Sequence, residues 1–143
     1  MRTLVPTGVE EGFSKQSSVK QERVRVVLPY KGQYLLERLT NPNWPKNIGK
    51  MRHIGGGIES GETPQEAASR EMYEELGVQI NPDHFVALGK HDGHHYLELK
   101  NHNLHPGQFN ATVGSDPIIT LEKQQPSGSK YMGPSLHQLY NGR

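Results

Sequence analysis

Residues 56–78 read GGIESGETPQEAASREMYEELGV, and no other segment of the chain constrains its fold as tightly. Thr63-Pro64-Gln65-Glu66 is a helix start. Thr63 can cap the first free amides, Glu66 completes a capping box, and Pro64 takes the first helical position, where its missing N–H costs nothing. Gly77 supplies a left-handed stop. A helix over 64–76 is therefore predicted. Ala68, Met72 and Leu76 form an apolar stripe suited to packing on a sheet. Glu71, Glu74 and Glu75 stand at i, i+3 and i+4 and share another face, with Ala67 one turn earlier.

Three carboxylates within one turn repel one another by about a few tenths of a kcal/mol per pair. A divalent cation reverses that sign, because hard oxygen ligands are what Mg²⁺ selects. A solvated acidic face is the plain alternative for such a run. Here the glycine-rich approach, the helix cap and Arg70 all lie at fixed offsets from the carboxylates, which favours the metal.

The chain has 143 residues, the length of one domain with a core of two or three layers. Only 32% of residues are hydrophobic and 7% aromatic, so the core is expected to be modest and the loops long. A net charge of +1 gives no broad field for nucleic acid or anionic lipid. No apolar run approaches the ~18 residues of a membrane helix, and no signal peptide is visible behind Arg2. The absence of cysteine excludes a disulfide framework and thiolate metal sites. A soluble cytoplasmic enzyme, monomer or homodimer, is expected.

Residues 1–22 are polar and lack a sustained period, so they read as an extension to a domain over 23–143. Residues 23–30 (RVRVVLPY) alternate as one strand, Lys31-Gly32 as a turn and residues 33–38 (QYLLER) as its hairpin partner. Residues 40–50 read as loop, and 51–54 as a short strand feeding a Gly55-Gly56-Gly57 loop. Beyond the helix, 85–90 and 94–100 are expected as strands around Asp92-Gly93. Residues 101–116 follow as loop, 117–121 as a strand, 124–130 as a linker and 135–140 as a short helix. The expected fold class is α/β, a mixed β-sheet carrying one long helix and closed by a short one.

The order G-x5-E-x7-R-E-x2-E-E-x-G, filled by Gly56, Glu62, Arg70, Glu71, Glu74, Glu75 and Gly77, resembles the signature box of the Nudix hydrolases. These enzymes cut a nucleoside diphosphate joined to another group. Chance agreement at average composition is on the order of 10⁻⁹. The resemblance implies an α/β/α sandwich and a Mg²⁺ cofactor, with Mn²⁺ as substitute. It implies Glu74 and Glu75 as metal ligands, Glu71 as a ligand or as the group that orients and deprotonates water, and the Gly56 carbonyl as a further ligand. Arg70 would hold Glu71 through a charge-assisted pair, and Glu62 would act through metal-bound water or by fixing the loop. The general base is Glu71, Glu98 or Glu122.

One departure concerns the approach to the box. Many relatives carry a proline before the paired glycines, whereas this chain reads His53-Ile54-Gly55-Gly56, and Gly57 is expected to give the loop freedom instead. For substrate contacts, Tyr96 lies where dinucleoside-polyphosphate hydrolases of this family place a base-stacking tyrosine. Arg52, with Lys46 and Lys50, clusters before the glycines and can meet phosphate. The spacing of His91, His94, His95, His102 and His105 argues against zinc, and a histidine touching substrate phosphate suits them better. The signatures of ADP-ribose and coenzyme A hydrolases are not recognisable.

The resulting reading is metal-dependent hydrolysis of a phosphoanhydride, with a nucleoside triphosphate or dinucleoside polyphosphate as substrate and no nucleic-acid partner. The alternatives are a non-catalytic nucleotide-sensing module on the same fold and an RNA 5′-end pyrophosphohydrolase. A prenyl diphosphate isomerase would need a reactive cysteine, which the chain lacks.

Overall fold

A computed structural model describes residues 21–100, 102, 104, 118–122 and 130–141. Its strands are β1 (Arg23–Val27), β2 (Pro29–Tyr30), β3 (Gln33–Arg38), β4 (Met51–Gly57), β5 (Phe85–His91), β6 (His94–Leu99) and β7 (Ile118–Glu122). The helices are α1 (Pro64–Leu76) and α2 (Leu136–Asn141). The strands lie in the order β2-β3-β4-β1-β6-β5, with β7 on β3. β1 runs parallel to β6 and antiparallel to β4, so the sheet is mixed.

The predicted long helix is observed with the predicted limits. Thr63 and Glu66 form the reciprocal capping box, and Gly77 ends the helix at φ 74°. Ala67, Ala68, Met72 and Leu76 pack against Val24, Val26, Ile54 and Leu97 on one face of the sheet. On the other face Val27, Leu88 and Tyr96 pack against Leu139 of α2. This is the α/β/α sandwich.

Two sequence expectations need correction. The strand expected over 23–30 divides at Leu28, where the carbonyl accepts from Leu35 N–H and Pro29 has no N–H to continue the ladder. The three glycines expected as a loop lie inside β4, paired with β1 as Val24↔Gly56, Arg25↔Gly55 and Arg23↔Gly57. Close approach, not freedom, requires glycine here. The requirement is strict at Gly55, where a Cβ would stand 1.8 Å from the Val24 carbonyl oxygen, whereas one on Gly57 would meet the movable end of the exposed Gln21 side chain.

The hairpin turn at Lys31-Gly32 has positive φ at both residues (48° and 78°), which suits the twist of the flanking strands. Residues 45–47 form a 3₁₀ turn within the expected loop. The two strands after α1 join through Asp92-Gly93 as expected, with a bulge between Ala87 and Gly89. Gln21 and Glu22, the last residues of the expected extension, make contacts. Gln21 Nε2 donates to the Ile58 carbonyl, and Glu22 pairs with His95 and Lys90. The rest of that extension, the side chain of Glu122, His105 and the linker over 124–129 lie outside the described residues.

Candidate active site

Strand β4 delivers its glycines to the start of α1, and the helix returns along them. Arg70 is the electrostatic hub of this junction. Its Nε and Nη2 grip Glu62 at 2.7 and 3.0 Å, and Nη2 also donates to the Gly57 carbonyl at 2.8 Å. Nη1 reaches Glu71 Oε2 at 3.1 Å and Glu74 Oε1 at 3.2 Å. The Glu62 carboxyl is held below its ordinary range by the Arg70 hydrogen bonds, and Arg70 is pushed further up by Glu62. Glu62 also accepts from the Glu59 N–H at 2.9 Å. Arg70 and Glu62 together therefore lock the loop between β4 and α1.

Glu71 is buried and lies over Gly56, where a Cβ would stand 2.3 Å from Oε2. Glu75 lies deeper than a helix-surface residue normally does. Burial, together with Glu37 and Glu71 beside it, pushes its carboxyl well above the ordinary range. Oε1 of Glu75 and Oε1 of Glu37 are both buried without a hydrogen-bond partner. Neighbouring carboxylates satisfy one another only where one holds a proton, as the raised Glu75 carboxyl does, or where a cation takes the proton's place.

The donor set consists of hard oxygens only, which fits Mg²⁺ or Mn²⁺ and not a soft ion. Among the described residues, no three acidic or histidine side chains already converge as a coordination shell. The reason is visible in the contacts: Glu71 and Glu74 are both turned onto Arg70.

Glu37 and Arg25 were not singled out in the sequence, although a signal existed. In QYLLER, Glu37 is in phase with Leu35, a core position, so a carboxylate falls where an apolar residue is expected. It is 1% exposed and bonds Arg52 Nε at 2.5 Å, with Arg25 Nη1 at 3.7 Å. Glu37 thus bridges the box carboxylate Glu75 to two guanidiniums. Those guanidiniums line a separate cavity of about 240 Å³ together with His91, His94 and Tyr96.

Tyr96 does not present a stacking surface. It is 3% exposed in the α2-side core, with its ring edge-on to His53 at 6.4 Å. Strand parity explains this: Leu97 and Leu99 face α1, so Tyr96 and Glu98 face away. This burial speaks against the base-stacking role expected of Tyr96 and supports a core role. The same parity separates Glu98 from the box, and its Oε1 lies 3.7 Å from Lys100 Nζ. Of the basic cluster, Lys46 is exposed and Lys50 bonds Asn47, leaving Arg52 alone at the cavity. The histidines disperse, His95 to Glu22 and His102 to the Pro29 carbonyl, while His91 and His94 reach the cavity.

A family model for the NUDIX domain matches residues 20–123. A protein of Psychromonas ingrahamii named RNA pyrophosphohydrolase is 33% identical over 84 residues, covering 57% of this chain and 42% of that protein. One of Aliivibrio fischeri strain MJ11, with the same name, is 40% identical over 50 residues, covering 34% of this chain and 29% of that protein. The chain thus spans less than half the length of these relatives. Among solved structures, a NUDIX hydrolase from Nitrosomonas europaea superposes with a TM-score of 0.56 at 19% identity, over 85% of this chain and 87% of that one. A putative nudix hydrolase family member from Chromobacterium violaceum gives 0.53 at 17% identity, over 80% and 71%. These two likenesses concern the fold. No helix among the described residues is long and apolar enough to cross a membrane.

Proposed function

The chain belongs to the NUDIX domain family, and from that premise we propose that it is a pyrophosphohydrolase, dependent on Mg²⁺ or Mn²⁺, acting on a nucleoside diphosphate derivative in the cytoplasm. The observation that carries this reading is the crowding of Glu75 by Glu37 and Glu71, with buried oxygens that lack a donor. Such a cluster costs folding free energy, and clusters of this kind concentrate at functional sites.

Glu71, Glu74, Glu75 and the Gly56 carbonyl would hold the cation. Bound there, it would neutralise diphosphate charge and acidify water. Glu71 is the residue we assign to orient that water and take its proton, because it is buried over Gly56 and held by Arg70. Arg70 and Glu62 keep the approach loop fixed, so the carboxylates meet substrate without reorganising the backbone. A nucleotide-sensing module that does not turn over would not need all four box carboxylates, and this chain keeps Glu62, Glu71, Glu74 and Glu75.

A nucleoside triphosphate or a dinucleoside polyphosphate is the substrate class first assigned. The name shared by the matched relatives favours a second reading, a 5′-triphosphorylated RNA end. The test is a panel of these three substrates with Mg²⁺, Mn²⁺ or chelator, with products identified by mass. Cleavage at a phosphoanhydride that chelator abolishes is expected. Binding of nucleotide without turnover on any of them would overturn the enzyme in favour of the sensing module.

A further inference from the structure

The cavity behind the box holds two guanidiniums, Arg25 and Arg52, beside the carboxylates of Glu37 and Asp92. Arg25 is 2% exposed, yet among the described residues its guanidinium makes one hydrogen bond, from Nη1 to the His53 carbonyl at 3.2 Å. Its nearest carboxylate oxygen, Glu37 Oε2 at 3.7 Å, is already taken by Arg52 Nε at 2.5 Å. Two guanidiniums therefore lean on one buried carboxylate, and Glu75 stands on the other side of it. Burial and the neighbouring Arg52 push Arg25 down to about 10, which shows how little its surroundings compensate it. Asp92, the other acidic residue at the cavity, sits on the exposed β5–β6 turn, where solvent screens it. Arg25 and Arg52 line the same space as His91 and His94.

The shape of the cavity limits what can enter. At about 240 Å³ it is smaller than the ~300–1,000 Å³ of pockets that enclose whole drug-sized ligands. The Tyr96 ring is packed against His53 and the α2-side core, which leaves only the His91 and His94 imidazoles as ring faces at the cavity. A tetrahedral oxyanion would find two guanidinium forks with unused N–H groups, the pairing in which arginine is strongest.

We infer that the Arg25–Arg52–His94 cavity is a subsite for a phosphate group separate from the diphosphate being cleaved. The favoured substrates are then nucleoside phosphoanhydrides that carry an additional phosphate ester. This rests on the pyrophosphohydrolase reading for its catalytic half, but the anion site is defined by its own residues. The Glu37 carboxylate, bonded to Arg52 and adjacent to Glu75, makes the subsite and the cation-binding cluster neighbours.

The experiment has two parts, both on the full chain. In the first, inorganic phosphate is titrated into metal-free wild-type protein in chelator, with melting temperature and the His91 and His94 ring signals as readouts. Phosphate should raise the melting temperature and shift both rings. Arg25→Met should fold, because an apolar stem replaces a poorly paired buried charge. It should lose the response to phosphate. In the second part, kcat/KM is measured for ATP, for adenosine 3′-phosphate 5′-triphosphate and for the triphosphorylated dinucleotide pppApA. Wild type should favour one or both phosphate-bearing substrates by about tenfold, mainly through KM, and Arg25→Met should bring the ratio near one.

Preference for the 3′-monoester alone marks a small-molecule substrate. Preference for the diester marks an RNA end. If wild type binds no phosphate in chelator and shows a ratio within about twofold of one, the subsite is overturned, even if ATP is hydrolysed. If phosphate binds and shifts the rings but no substrate is cleaved with either metal, the subsite stands and the hydrolase reading fails. Because the wild-type measurements stand alone, failure of Arg25→Met to fold would not remove the test.

Discussion

Gly56 and Glu71 are in such close contact that a single added methyl group would occupy carboxylate space, 2.3 Å from Oε2. At Gly55, one residue earlier, the obstacle is backbone instead, the Val24 carbonyl oxygen at 1.8 Å. Adjacent glycines in one strand thus serve different purposes, and alanine substitution separates them. Gly56→Ala should fold with little change in melting temperature, since the end of a flexible side chain can swing away. It should lower turnover by about tenfold or more by displacing Glu71. Gly55→Ala should instead destabilise the β1–β4 pairing by about 1–3 kcal/mol. Paired denaturant melts and metal-dependent assays read both effects, and equal melting temperatures for the two variants would refute the distinction.

Glu75→Gln tests the charge cluster. It should cut turnover by about 10²-fold or more at saturating Mg²⁺, the loss anticipated when a metal ligand is removed. In chelator, the variant should melt no lower than wild type, because the amide is neutral, as the raised Glu75 carboxyl is, and can still donate to Glu37 or Glu71. Mg²⁺ should raise the melting temperature of wild type more than that of Glu75→Gln, by linkage to a site present only in the folded state. A variant less stable than wild type in chelator would show that Glu75 has a structural partner.

His53 links stability to acid. Burial holds this imidazole down to about 3, against an ordinary value of 6.5, with Arg25 adding to the effect. The unfolded chain takes up a proton at His53 below about pH 6.5 while the folded chain does not. This contribution therefore disfavours folding increasingly as pH falls from 6.5 to 3, by up to about 1.4 kcal/mol per pH unit. His53→Phe retains an aromatic ring beside Tyr96 and Tyr131 and removes that proton. Its denaturation free energy should fall less steeply than wild type's between pH 6.5 and 4. Parallel curves would show that His53 titrates alike in both states.

Tyr96→Ala should cost about 3–5 kcal/mol, as truncation of a buried aromatic ring does. KM for a dinucleoside polyphosphate should hold steady wherever the variant remains folded. A stable variant with KM raised about tenfold would restore the stacking role.

The cap offers a control remote from the chemistry. Thr63→Ala removes the hydroxyl that accepts from Glu66 N–H at 3.1 Å and should cost about 1 kcal/mol in denaturant melts, with metal-dependent turnover retained. A loss of turnover in folded protein would mean that the start of α1 is coupled to the carboxylates.

The sequence by itself determined what short-range bonding decides. The limits of α1 follow from Thr63, Glu66 and Gly77, whose contacts join residues three or four apart. The shared face of Glu71, Glu74 and Glu75 follows from helical periodicity alone. The β2–β3 turn follows from Lys31-Gly32, and the strand pairs around it from alternation. Only the tertiary structure decided where Glu37, Arg25 and Tyr96 lie, because their partners come from strands far along the chain. Glu37 meets Arg52 across 15 residues, and Arg25 meets the His53 carbonyl across 28. The glycines after His53 look like a flexible loop until β1, α1 and Gln21 are laid beside them, and then each missing Cβ has a neighbour in its place: Val24 for Gly55, Glu71 for Gly56 and Gln21 for Gly57. Periodicity tells which residues share a face, but the charge and burial of that face depend on which strand is hydrogen-bonded next to it.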